Sequence, residues 1–179
     1  MNLRERYLKQ IAPDLAKRFG VEHLLAVPTV TKVTVSAGLS SKQKDPKAIE
    51  TAEAAISRIT GQKPVQTKAK QSISNFKIRK GQVVGLKVTI RGKRMWDFVE
   101  RLTGLTFPRS RDFRGLDPKS VDSTGNFSYG FSEHLAFPEI RPDEVERIHG
   151  VEITVTTTAG DRVKGLALLK ALGFPFKNA

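Results

Sequence analysis

Leu86-Lys87-Val88-Thr89-Ile90-Arg91 alternates without a break, with aliphatic residues at even positions and two cations and a hydroxyl at odd ones. A period of two belongs to an extended strand with one buried and one open face. A second stretch repeats the pattern. In Val30 to Ser36, Val33 and Val35 alternate with Lys32, Thr34 and Ser36, and Gly38 closes the run. Two strands with the same split predict one sheet, its apolar side covered and its cationic, hydroxyl-bearing side open.

Helical stripes supply the cover. Leu3, Tyr7, Ile11 and Leu15 recur at four-residue steps before Phe19-Gly20, and Pro13 is expected to kink or break that helix. Asp45-Pro46 places a capping carboxylate before a proline suited to the first helical position; Ile49, Ala52, Ile56 and Ile59 follow, until Gly61. A helix from about Lys93 presents Met95, Phe98, Val99 and Leu102 and is expected to stop at Gly104. Residues 104–130, rich in Gly, Pro, Ser and Asp, read as a long loop or a loose hairpin. Phe131 to Phe137 reads as a strand, and Val151 to Thr157 as a firmer one. A closing helix uses Val163, Leu166, Leu169 and Leu172 before Gly173-Phe174-Pro175. This order predicts an α+β fold with a mainly antiparallel sheet, helices packed on one face and long basic loops. Residues 1–179 are expected to form a single domain.

Charge is distributed unevenly. Residues 54–96 contain no Asp or Glu but eleven Lys and Arg, so they carry most of the formal +13; the rest of the chain has 20 basic against 18 acidic residues, a surplus of +2. Such a block repels itself unless a polyanion neutralises it, and a nucleic acid rewards each contact with released counterions. The absence of cysteine excludes disulfides and thiolate chemistry. No apolar run reaches the roughly 20 residues of a membrane span, and Met1 to Arg6 mixes both charge signs, so no membrane partner and a cytoplasmic location are expected.

The odd face of the two strands, Lys32, Thr34 and Ser36 with Lys87, Thr89 and Arg91, suits phosphate oxygens and ribose hydroxyls. The same residues also make an ordinary solvated strand face. Between them, Gln62 and Gln66 can read base or sugar edges, and Lys68, Lys70 and Ser72 can meet phosphates; a solvated linker is the alternative. Phe76 and Ile78 are expected to anchor their segment, while Lys77, Arg79 and Lys80 run into Gly81 as a basic tip for a second ligand, or as an idle turn. Arg109, Arg111 and Arg114 surround Phe113 in a loop that can pair phosphates and stack bases, or satisfy itself through Asp112 and Asp117. Asp143, Glu144 and Glu146 read as the acidic first turn of a short helix, or as a surface for a basic protein.

Catalysis has little support. His23, His134 and His149 are too scattered for a metal set, and Gly61-Gln62-Lys63 lacks the spacing of a phosphate-binding loop. No catalytic residue, metal or cofactor is expected. Two rivals remain: an RNA-modifying enzyme that uses the basic face as a platform, and a module whose cations meet an acidic protein.

Four stretches carry a resemblance that runs essentially the full chain: Thr67 to Ile73 with Phe76 to Arg79, Gly85 to Gly92, Arg109 to Gly115, and Phe137 to Ile140. They resemble the large-subunit ribosomal protein L-five family, in its bacterial form. The resemblance implies a structural α+β protein that binds 5S ribosomal RNA and anchors it in the central protuberance of the large subunit. On that pattern Lys32, Ser36, Thr89, Gln62 and the run from Thr67 to Ser72 would contact 5S RNA. The tip around Arg79, Lys80 and Gly81 would reach the peptidyl-site transfer RNA. Arg109, Arg111, Arg114 and residues 131–150 would approach 23S RNA, neighbouring large-subunit proteins and the small-subunit head, where protein S thirteen is the implied partner. Two places depart from the pattern. Val35-Ser36-Ala37-Gly38 stands where the family has Val-Asn-Met-Gly, and a serine without the amide leaves a direct contact there open. Thr158-Ala159-Gly160-Asp161 replaces a longer acidic helix opening.

Overall fold

The structure, a computed structural model, describes residues 1–39, 46–110, 113–145 and 147–177. Among them five strands, β1 (Val30–Gly38), β2 (Val65–Lys68), β3 (Val83–Ile90), β4 (Phe127–Phe131) and β5 (Val151–Thr157), form one antiparallel sheet in the order β2-β3-β1-β5-β4. The helices are α1 (Leu3–Arg6), α2 (Ala12–Phe19), α3 (Pro46–Thr60), α4 (Gly92–Arg101), α5 (Phe107–Arg109) and α6 (Arg162–Ala171). The predicted α+β class holds, and so does the alternation. Val33, Val35, Leu86, Val88 and Ile90 are buried, whereas Lys32, Thr34 and Ser36 are half-buried and Lys87 and Thr89 exposed.

The chain divides into two compact units. One comprises Met1–Val33, Ile90–Tyr129 and Thr154–Ala179. Here the stripe Leu3, Tyr7, Ile11 and Leu15 is buried, and the Tyr7 ring packs 5.1 Å from that of Trp96 while its hydroxyl donates to the Pro28 carbonyl. Pro13 does not break the helix. A π turn, Tyr7–Ile11, joins α1 to α2, and the Ala12 N–H donates to the Tyr7 carbonyl. The widened turn accommodates a proline that has no proton to give.

The same device overturns the stop expected at Gly104. The chain stays helical through a second π turn, Leu102–Thr106, into α5, whose first turn contains Pro108. Leu102, Thr106 and Phe107 bury on either side of the exposed glycine, and that burial outweighs its helix cost of about 1 kcal/mol.

Two further expectations fail. The strand expected at Phe131 to Phe137 is displaced: β4 spans Phe127–Phe131, and His134–Ala136 forms a 3-10 turn. Residues 104–130 are therefore not one loop; the hairpin alternative fits their end, where Val121 and Phe127 form an antiparallel bridge. Phe127, buried among Phe174 and Phe176, drives that strand. In α6, Val163 is 63% exposed, while Ala167, Leu168 and Leu169 are buried. Gly165, pressed on the Gly125 backbone, fixes the helix's rotation.

The second unit comprises Thr34–Thr89 and Gly130–Ile153. Ala52, Ile56 and Ile59 of α3 are buried, as the stripe predicts, and Ile49 is half-buried; Asp45, the expected cap, lies outside the described residues. The stretch after Gly61 is more than a linker, for β2 pairs antiparallel with β3, placing Val65 opposite Lys87 and Thr67 opposite Gly85. Gln66 points to the other side, where its amide donates to Glu53 of α3 across 3.5 Å. The helix therefore lies over the Leu86 side, and the Lys87 side is open.

Candidate nucleic-acid interface

The open face of the second unit is assembled from three neighbouring strands. β1 contributes Thr34 and Ser36, β3 contributes Lys87 and Thr89, and β2 contributes Val65 and Thr67. Close approach of these strands depends on Gly85. A Cβ there would stand 2.8 Å from the Ala37 carbonyl oxygen and 3.0 Å from Thr67 Oγ1. In the first unit, Lys32 of β1 is half-buried and Arg91, just after β3, is exposed.

Gln62 is held in place beside this face. Gly61 ends α3 with φ +67°, and the buried Thr60 hydroxyl then accepts from the Gln62 N–H at 3.3 Å. Its single proton is shared between the Ile56 carbonyl at 2.7 Å and the Gln62 carbonyl at 3.1 Å. The main chain of Gln62 is thereby tied to the end of the helix. The half-buried Gln62 side chain projects from that fixed point. Lys68 and Lys70 are exposed on the strand end and just beyond it.

Beyond β2 and β3 the chain continues as a hydrogen-bonded hairpin. Ala69 pairs with Gly81 and Gln82, and Ile73 and Ile78 exchange two bonds of 2.9 and 3.1 Å. Ser72 has a structural duty here: its Oγ accepts from the Lys80 N–H at 2.9 Å, which leaves its own proton to donate. Gly81 takes φ +84°, where an L side chain is strained. Lys77, Arg79 and Lys80 are exposed. Phe76 does not anchor the segment. It is 67% exposed, because Ile73 and Ile78 close the hairpin one step before it.

Of the arginine loop, Arg109 and Arg114 are exposed, and Arg111 lies outside the described residues. Phe113 is half-buried, and its ring stacks on the buried Phe107 ring at 5.2 Å and 26°. Pro142–Glu144 forms a 3-10 turn after Arg141. Within the same unit, the His134 and His149 rings stack at 4.0 Å, and the His149 N–H donates to His134 Nδ1. Burial, with His134 alongside, pushes His149 down to about 4. Burial likewise lowers His134. No group of three or more metal-ligating side chains occurs among the described residues, and none of their helices is long and apolar enough to cross a membrane.

Two features escaped the sequence reading. Val65, 69% exposed opposite Lys87, adds an apolar patch to the open face. β2 itself is only four residues long, too short for its alternation to stand out.

Fold and site together define a class: a basic α+β protein that offers a hydroxyl- and lysine-lined sheet face and a cationic hairpin. Comparison with known proteins narrows it. Residues 23–79 match the family described as "Ribosomal protein L5", and residues 83–176 match the model of that family's C-terminus. Proteins named large ribosomal subunit protein uL5 are similar over 98% of this chain. The one from Fervidobacterium nodosum is 49% identical and covered over 96% of its length, and that from Colwellia psychrerythraea is 46% identical and covered over 97%. The chain belongs to the ribosomal protein L5 family.

Proposed function

We propose that this chain is a structural, non-catalytic protein of the large ribosomal subunit that holds 5S ribosomal RNA on its open sheet face. Family membership supports the ribosomal role. One observation carries the finer reading: Thr34, Ser36, Thr67, Lys87 and Thr89 share the uncovered side of three adjacent strands, within or beside a stretch of 43 residues that has no carboxylate. Lysines there neutralise phosphates, and hydroxyls both donate to phosphate oxygens and accept from ribose 2′-OH groups. Gln62, Lys68, Lys70 and Ser72 extend that contact, and Lys32 and Arg91 of the first unit also contact 5S RNA in this reading.

In the same reading, Lys77, Arg79, Lys80 and Gly81 meet the peptidyl-site transfer RNA. Arg109, Arg111 and Arg114 approach 23S RNA, and the 131–150 region meets protein S thirteen of the small-subunit head. The whole chain acts as one RNA-binding domain in the central protuberance. The platform is tested by titrating purified 5S RNA with Thr89→Ala and Gln62→Ala variants in a filter-binding assay. Each substitution is expected to weaken binding about fivefold, the share of one hydrogen bond, with the unfolding midpoint unchanged. Undiminished affinity in both variants refutes the platform.

A further inference from the structure

Phe76 is a large apolar side chain left in water. It is 67% exposed, and neighbouring Ile73 is 46% exposed, so most of the ring's possible burial is unrealised. A single exposed phenyl on a loose loop needs no explanation. This one sits on a closed turn. The Lys77 N–H donates to the Ser74 carbonyl at 2.9 Å, and the double Ile73–Ile78 bridge shuts the hairpin beneath it. The Arg79 N–H donates to Gln82 Oε1 at 3.2 Å, and the Lys80 N–H to Ser72 Oγ. Lys77 itself takes φ +50°, a left-handed conformation that is strained for a non-glycine residue. The turn thus holds the ring outward at the expense of backbone strain.

The surroundings specify what the ring can meet. Lys77, Arg79 and Lys80 flank it, and no Asp or Glu occurs between residues 54 and 96. An apolar pocket on a protein would account for the phenyl but not for the cations. Bare phosphates would account for the cations but not for the phenyl. An unstacked base in a folded RNA satisfies both, because every base has a π-face and its neighbouring phosphates lie within reach of flexible cations.

We infer that Phe76 stacks on an exposed nucleobase of the RNA that the hairpin tip meets, while Arg79 and Lys80 pair its flanking phosphates. The inference rests on the reading that this RNA is transfer RNA in the peptidyl site. It is tested with the full chain, rebuilt into large subunits and joined to small subunits carrying transfer RNA, by measuring how fast that RNA is released. Phe76→Ala should speed release about tenfold, Phe76→Leu nearly as much, and Phe76→Tyr hardly at all, since stacking needs a ring and not merely apolar bulk. Affinity for 5S RNA and the melting temperature should stay as in the unaltered chain, because the ring adds little to the packing of the fold. Benzoylphenylalanine at position 76 should cross-link to a transfer-RNA base. If Phe76→Leu retains transfer RNA as the parent does, or if the cross-link falls on 5S RNA or on protein, stacking on transfer RNA is overturned. If the Phe76 variants are silent while Arg79→Ala with Lys80→Ala speeds release, stacking falls and the tip reading stands. If that double variant is silent too, the tip reading falls and takes the stacking with it.

Discussion

Gly165 lies so close to Gly125 that a Cβ added to it would stand 2.5 Å from the Gly125 carbonyl oxygen, and Gly125 holds φ +84°. Gly165→Ala should therefore cost about 3 kcal/mol in urea unfolding, by forcing α6 off the loop before β4. A loss under about 0.5 kcal/mol would mean that the helix simply slides. The stacked histidines give a residue-scale test of pH. His149 is buried, its Nε2 finds no hydrogen-bond partner, and the facing titratable group is His134. From its ordinary value of 6.5, the unfolded residue takes up a proton that the folded one refuses until about 4. Stability is then complete above about pH 6.5, falls as the pH drops through that window, and levels off below about 4. The whole loss is on the order of 3 kcal/mol. Urea midpoints measured at about pH 7 and pH 5 should differ more for the parent than for His149→Phe, which keeps only the smaller dependence of buried His134. An equal pH dependence in both would assign the effect elsewhere. Neither feature is legible in sequence, since glycine contact and ring stacking join residues 40 and 15 positions apart.

Among the elements, the helices and long strands are legible and the short ones are not. Leu3 to Leu15 and Leu86 to Ile90 repeat often enough for their period to exceed chance. β2, with four residues, and β4, with glycine and serine between its aromatics, do not. The π turns before Pro13 and Pro108 are a further case. The sequence marks Pro13 as a fault and Gly104 as a stop, but only packing decides whether a helix ends or widens. The hairpin beyond β2 and β3 makes its own hydrogen bonds, so its charges can change without disturbing the sheet. Arg79→Ala combined with Lys80→Ala should leave 5S RNA affinity within about twofold of the parent in a filter-binding titration. A large loss would mean that the tip, too, belongs to the 5S contact.

For the molecule as a whole, the governing quantity is a charge of +13, of which +11 falls in residues 54–96. Binding to 5S RNA should be strongly salt-dependent, with log affinity falling against log salt by about 0.7 to 0.9 per phosphate neutralised. Lys87→Ala should reduce that slope by about one contact. An unchanged slope would place Lys87 off the phosphate path. The charge, the absence of cysteine, the two alternating strands and most helical stripes follow from sequence alone, because composition and period are properties of neighbouring residues. Tertiary structure decided the rest: which side of the sheet stays uncovered, that Phe113 stacks on Phe107 while Phe76 turns outward, and how α6 is rotated. Those outcomes depend on which surfaces compete for the same buried space, and residues far apart in the chain settle that competition.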